Sequence, residues 1–382
     1  MSSSPLFISD DLIYEVLSLL KVKSVLRFRC VSKNWDTLIS DPTFVKLHQE
    51  KSAKQNPHFL LITEHKTHIQ GESPYDSDDE CEYECGVIPY SVSSLLENPS
   101  FDLSVDSYYL VQHKGCSNIV GSYNGLICLS GESYGREYYE CWFRLWNPAT
   151  QATSPKLGFL RLFHNRPGCA ADNGYFNFTF GYDNSTGTYK IFASRYVFRK
   201  RRSEVKILCL GDDVWRDIQT FPVEPLYYCK TETYNQYSLP PEFDQVPPRA
   251  PIIAVLGDCL SFSYFSYETE LIIWQMKKFG VEDSWSQFLK ISCHSLQIHY
   301  DYSEYMLFFF ELVPLFLSKD GDTLILKCFQ EDQEILYNRR NNTVVRTKIT
   351  ATTTTTDDRT VHSISCTAND HIESLVSVFL KS

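Results

Sequence analysis

The stretch DDLIYEVLSLLKVKSVLRFRCVSKNWDTLISDP, from Asp10 to Pro42, is a dense helical pattern at the head of a chain that otherwise reads as β-structure. Leu12, Ile13, Val16, Leu17 and Leu20 recur at helical spacing and line one stripe. Ser9 is placed to cap this helix, and Asp10 and Asp11 put negative charge on its first turn, where the helix dipole favours it. Val22, Val25, Leu26 and Cys30 predict a second short helix. Ser32 predicts the cap of a third, which carries Trp35, Leu38 and Ile39. Asp41 and Pro42 form a further start signal, with Asp as cap and proline at the first helical position, before Phe44, Val45 and Leu47. Three helices this short hide little apolar area from one another. The surplus must meet a partner or the rest of the chain. Periodicity alone leaves both readings open: a cap on the following domain, or a handle for another protein.

Composition bounds the remainder. The chain has 382 residues, 43% hydrophobic and 22% charged, which describes a globular rather than a disordered protein. With 24 Tyr and 25 Phe against 3 Met, the balance favours half-buried pleated surfaces. A net charge of −11 lacks the usual electrostatic footprint of nucleic-acid binding. The 13 Cys are odd in number and scattered through apolar runs, as small buried hydrophobes in a reducing compartment are. The opening MSSSPLFISDD has no cationic region followed by an apolar one. The longest apolar run, Tyr305–Leu317, is too short to span a bilayer and contains Glu311 and Pro314. These features predict a cytoplasmic or nuclear protein, without membrane or nucleic-acid partners.

Residues 50–57 read as a polar linker, and His58–Thr63 as the first strand. Gln70–Gly86 is acidic, rich in turn residues and aperiodic, and reads as a surface loop. From about Asn118 a loose repeat sets in. GLICLS precedes FRLWNPAT, CLSFSYFS precedes LIIWQMKK, and TLILKCFQ precedes EILYNRRNN. Trp146, Trp274 and Tyr337 hold analogous places, each ahead of a polar turn. Turn cues such as GYDNSTGTYK, SKDGDT and NRRNNT separate the strands. Many short strands without helical patterns predict a sandwich, barrel or propeller. Repeated hairpins over this length suit a propeller, whose blades each take about 40–50 residues.

The helical block resembles the plant F-box. The matching run is ISDDLIYEVLSLLKVKSVLRFRCVSKNWDTLISDPTFVKLH, Ile8 to His48, and it fixes polar as well as apolar positions. Two signature prolines of the family are replaced here by Ser9 and Lys21. GSYNGLICLS, LWNPAT, FGYDNSTGTYKIF, VWRDI, LFLSKDGDTLIL and ESLVSVFL resemble, in order, the F-box-associated region of plant F-box proteins, a kelch-like β-propeller. The glycine doublets of true kelch repeats are missing, which implies divergent blades. HIESLVSVFL reads as a terminal strand that completes a blade. The expected organisation is mainly β. A small three-helix F-box at 1–50 is followed by a linker with the first strands and the acidic loop at 51–117. A divergent kelch-like β-propeller follows at 118–382, with its first strand near residue 58.

No catalytic constellation stands out. RKRRS (Arg199–Ser203) reads as a solvated hairpin tip. Cys81 and Cys85, near His113 and Cys116, lack zinc-ligand spacing. His65, His68, His294 and His299 have no motif that would put them to chemical use. The resemblance therefore implies a non-catalytic receptor of a Skp–cullin–F-box ubiquitin ligase, without cofactor or metal. Its F-box would dock the Skp adaptor, and through it cullin, by Leu12, Val16, Leu17, Leu20, Val25, Leu26 and Trp35. Its propeller would hold an unidentified target protein through loops. The candidates are Gln70–Gly86, Arg161–Gly174, Arg199–Ser203 and Val223–Pro251. The alternative is a propeller binding module or inhibitor whose F-box no longer engages the adaptor, with Ser9 and Lys21 as the reason.

Overall fold

The computed structural model describes residues 9–55, 58–68, 81–104, 109–110, 115–116, 118–135, 138–163, 176–197, 202–212, 214–218, 252–265, 270–298, 312–328, 333–352, 361–371 and 374–379. The helical block holds four helices rather than three: α1 (Asp10–Leu17), α2 (Val22–Phe28), α3 (Lys33–Ser40) and α4 (Pro42–Gln55). The Ser9 hydroxyl accepts the Leu12 amide at 3.4 Å, and the Ser32 hydroxyl accepts that of Trp35 at 3.2 Å. Asp41 Oδ1 takes the amides of Thr43 and Phe44 at 2.8 and 3.4 Å, so Asp41–Pro42 starts α4 as its residue types require. Residues 50–55, expected in a linker, continue α4. Glu, Lys, Ala and Gln are good helix formers, so a polar stretch need not be a loop. Leu17, Val25, Ile39 and Phe44 form the buried centre of the block. His48 is fully buried, and its Nε2 donates to the Leu20 carbonyl oxygen at 2.8 Å, which fastens α4 to the end of α1.

Strands follow in short antiparallel sets. The first contains β1 (His58–His68) and β2 (Cys81–Ser91). After helix α5 (Val92–Glu97) come β3 (Ser100–Ser104) and β4 (Tyr109–Leu110). The second set is β5 (Asn118–Tyr123), β6 (Leu126–Tyr134), β7 (Tyr138–Asn147), β8 (Ala152–Thr153) and β9 (Leu157–Phe163). The third is β10 (Asn177–Asp183), β11 (Thr188–Val197), β12 (Arg202–Cys209) and β13 (Trp215–Ile218). The fourth is β14 (Ile252–Leu256), β15 (Cys259–Phe265), β16 (Glu270–Met276) and β17 (Trp285–Ser292). The fifth is β18 (Leu312–Leu317), β19 (Thr323–Cys328), β20 (Glu334–Asn338) and β21 (Thr343–Arg346). The last strands are β22 (Lys348–Thr352) and β23 (Val361–His371).

The order within each set makes the propeller. β10 to β13, β14 to β17 and β18 to β21 each pair with the next in sequence. In the first sheet the order is β23-β1-β2-β4, so the C-terminal strand takes the place that β10, β14 and β18 hold in theirs. The leading strands lie side by side, β14 by β18, β18 by β23, β23 by β5 and β5 by β10. The sheets radiate from these strands. β22 adds a parallel pairing with β3, a second link between the end of the chain and its beginning.

Packing follows the period-two rule on both faces of a sheet. On β6, Leu126 and Cys128 face the core shared with the third sheet, where Phe180, Ile191 and Leu208 sit. Ile127 and Leu129 face the other way, towards Val87 of the first sheet and Trp146. A blade buried on both faces therefore reads as a continuous apolar run. Two-residue turns set the register. Asn124 and Gly125 (φ 52° and 78°) join β5 to β6, and Gly257 and Asp258 (φ 55° and 60°) join β14 to β15. Both residues of such a turn need positive φ, which Asn, Asp and Gly tolerate best. SKDGDT forms the expected hairpin: the Ser318 hydroxyl accepts the Thr323 amide at 2.8 Å and Gly321 has φ 75°.

Three further expectations are corrected. Cys81–Gly86, expected in the acidic loop, belongs to β2, where Cys81 faces His68 and Gly86 faces Thr63. Residues 69–80 lie outside the described residues. Trp146 and Tyr337 face the second residue of the preceding strand, Ile127 and Leu324, but Met276 rather than Trp274 holds that place opposite Leu260. The strand that completes the first sheet is β23, not HIESLVSVFL. Residues 374–379 run outside every ladder as a strap, described below.

Candidate functional site

The structure divides the predicted docking residues by exposure. Leu12 and Val16 are 56% and 52% exposed, and Leu19, just past the end of α1, is 55% exposed. Spacings of four and three place them on one face. Leu17 and Val25, at 2% and 0%, belong to the block's own core. Leu20, Leu26 and Trp35 are half-buried, and Trp35 packs on Phe28 with ring centroids 5.3 Å apart. Leu19 was absent from the sequence expectation. Its signal was the same helical face carried one turn further.

The two replaced prolines have distinct local consequences. Ser9 caps α1 with its hydroxyl, so the first turn keeps a satisfied amide. Lys21 precedes α2 in extended conformation without a side-chain cap, and it is exposed.

The strap reaches the block at its core through one residue. Leu375 packs against the core built on Leu17, Val25, Ile39 and Phe44. Its neighbours turn the opposite way: Val378 is buried in the core between the second and third sheets, and Val376 packs against it. Asn147, fully buried at the end of β7, donates from Nδ2 to the Ser374 and Val376 carbonyl oxygens at 3.0 and 2.9 Å. The Ser374 hydroxyl donates to the Asn124 carbonyl at 2.7 Å. The strap thus joins the helical block to the turn-bearing end of the second sheet.

At the opposite end of the same strands a cleft of about 390 Å³ opens between the second and third sheets. Asn118 and Asn177, the first residues of β5 and β10, stand at it, with Glu132, Tyr139, Phe176 and Phe178.

Candidate chemical residues are dispersed. Cys81, Cys85, His65 and His68 lie on β2 and β1, His294 is exposed, and His113 and His299 fall outside the described residues. Among the described residues, no group of three His, Cys, Asp or Glu side chains is placed to hold a metal ion. Among them, too, no helix is long and apolar enough to cross a membrane. Burial pushes the Cys128 thiol well above its ordinary value and raises Cys293 to about 11, so these groups stay neutral. Of the expected target loops, Arg161–Phe163 lies on β9 and Arg202–Ser203 on β12. The remainder of Arg161–Gly174 and of Arg199–Ser203, and all of Val223–Pro251, lie outside the described residues.

Comparison with known proteins agrees with this architecture. Residues 6–47 match the F-box domain, and residues 90–233 match the F-box associated beta propeller domain. The chain is 26% identical over 326 residues to an F-box/kelch-repeat protein of Arabidopsis thaliana, covering 75% of this chain and 80% of that protein. A putative F-box protein of the same plant is 52% identical over 52 residues, 14% of this chain and 12% of its own length. The chain spans less than half the length of several other curated relatives. A solved structure of a putative 6-phosphogluconolactonase from Bacteroides uniformis aligns over 81% of this chain and 99% of that one, at 10% identity. Its TM-score of 0.27 carries no argument.

Proposed function

Because the chain belongs to the plant F-box proteins with an F-box-associated β-propeller, we propose that it is the substrate-recognition subunit of a Skp–cullin–F-box ubiquitin ligase. The observation that carries this reading is the exposed row Leu12, Val16 and Leu19 on a block whose own core is already filled. Apolar side chains left over on an otherwise complete small domain call for a partner. In an F-box that partner is the Skp adaptor, and through it cullin. The propeller holds the target protein, and the chain contributes no catalytic residue. It accelerates transfer by keeping target and conjugating enzyme together, which turns a bimolecular encounter into a local one.

A second reading is favoured by Leu375: the helical block is a cap on its own propeller and engages no adaptor. The two readings use different faces, since Leu375 meets the core side and Leu12 and Val16 point away from it. A titration of the full chain against a plant Skp adaptor separates them. Saturable binding that is lost in a Leu12→Asp, Val16→Asp double variant is the expected result. No binding by a folded sample across several adaptor variants would establish the cap reading instead.

A further inference from the structure

The strap and the cleft lie at opposite ends of the same strands. Tyr123 and Leu126 face each other beside Asn124, where the strap is tied, and Asn118 faces Ser130 at the other end of the hairpin. Rings of Tyr123 and Tyr182 stack 6.0 Å apart near the strap end, so β5 and β10 run together from the cleft to that end. Six residues of strand separate the two ends by about 20 Å. The cleft therefore opens on the propeller face remote from the helical block. A target held there would not compete with an adaptor for space.

The lining has a definite chemistry. Glu132 is exposed and is the one carboxylate among the lining residues. Tyr139 donates its hydroxyl to Glu132 Oε2 at 2.7 Å and so holds the carboxylate in one orientation. Phe176, Phe178 and Tyr139 line the cleft; Phe176 and Tyr139 are buried, and Phe178 is half-buried. Cations at this corner are already matched. Arg195 stacks 4.6 Å from the Phe176 ring centre and is held by Glu204 at 2.6 and 2.9 Å, and Arg161 pairs with Glu140. Cys141 is pushed up to about 12, first by burial and then by the charge of Glu132, and contributes no charge of its own.

Resting on the receptor reading above, we propose that this cleft takes an arginine side chain of the target protein, with Glu132 receiving the guanidinium and the half-buried Phe178 ring meeting its flat face. A guanidinium suits both partners, since it pairs with carboxylates through a planar fork and stacks on aromatic rings. A carboxylate-bearing or phosphorylated segment would meet Glu132 as a like charge. Asn177 is exposed at the same cleft, and an asparagine amide there can hydrogen-bond the backbone of an extended segment.

The test uses the full chain and two blocked tripeptides, acetyl-Gly-Arg-Gly-amide and acetyl-Gly-Glu-Gly-amide, followed by saturation-transfer NMR. The arginine peptide is expected to bind saturably and the glutamate peptide not at all. Glu132→Gln should weaken arginine binding about tenfold, the scale of one hydrogen bond to a charged group. Asn177→Asp, which adds a carboxylate at an exposed rim position, should strengthen it, a gain that misfolding cannot mimic. Equal binding of the two peptides, or arginine binding unchanged in both variants, overturns the assignment. Adaptor binding of the same variants, measured in parallel, stays at the level of the parent protein. A failure of the cleft is thereby distinguished from a failure of the receptor reading.

Discussion

Asn147 hydrogen-bonds through both ends of its amide: Nδ2 serves the carbonyls of Ser374 and Val376, while Oδ1 accepts the amides of Ala149 and Thr150. Asn338 repeats the second half of this device, accepting the amides of Arg340 and Asn341. The turn-forming asparagine of one blade has thus gained a second task, the anchoring of the strap. Asn147→Ala leaves two strap carbonyls without this donor and should cost about 1–3 kcal/mol. Thermal unfolding should report the loss. Amide exchange should quicken in α1 and α3, with β15 and β16 unaffected; uniform exchange across the molecule would contradict the anchoring role.

Exposure separates two kinds of leucine on α1. Leu12→Asp with Val16→Asp should leave the free energy of unfolding within about 0.5 kcal/mol of the parent, as surface changes do, while removing adaptor binding. Leu17→Ala should instead destabilise the helical block by about 2–5 kcal/mol, the usual range for a buried leucine. Circular dichroism and adaptor titration on the same samples distinguish the two outcomes.

Gly158 has no room for a side chain. Its φ is +64°, and a Cβ there would lie 2.3 Å from Leu208 Cδ2 and 3.2 Å from Phe143 Cδ2. Its carbonyl accepts Trp215 Nε1 at 3.0 Å across the junction of the second and third sheets. Gly158→Ala combines backbone strain with overpacking and should cost about 1–3 kcal/mol. A chemical-denaturation midpoint equal to that of the parent would rule out this close approach.

Asp183 links stability to pH. Hydrogen bonds from Lys190, then from Ser185 and Thr186, hold its carboxyl well below the usual carboxylate range. A folded-state pKa below the unfolded value of about 3.9 stabilises the fold above that pH, and the contribution is lost as pH falls towards the folded value. Asp183→Asn should therefore melt below the parent at pH 7, leaving the nearly buried Lys190 ammonium without its carboxylate. The difference should shrink as pH is lowered below about 4. A gap constant from pH 7 to pH 3 would show that the ion pair is not its source.

Local chemistry made much of this legible. Caps at Ser9, Ser32 and Asp41 and the turn Asn124–Gly125 work through atoms within a few residues of themselves, so the sequence shows them directly. What escaped depends on distant partners. Cys81–Gly86 looks like an acidic loop until β1 is set beside it, and β1 in turn pairs with β23 from the far end of the chain. Alternation in ESLVSVFL was readable, but not that its two faces meet two different bodies, Leu375 the helices and Val378 the blades. The apolar stripe on α1 was visible as a whole. Which of its members point outward follows only from where α3 and α4 pack.

The strap also orders events during synthesis. Leu375 packs against a helical core whose members are made first, and β23 completes a sheet begun by β1. A ribosome paused anywhere before these segments holds a chain with an unfinished ring and a loosely supported helical block. Products cut short by a premature stop would share that state, and quality-control machinery would read them as unfolded. A helical block that leans on Leu375 is thereby kept from firm assembly until that distant segment has been made.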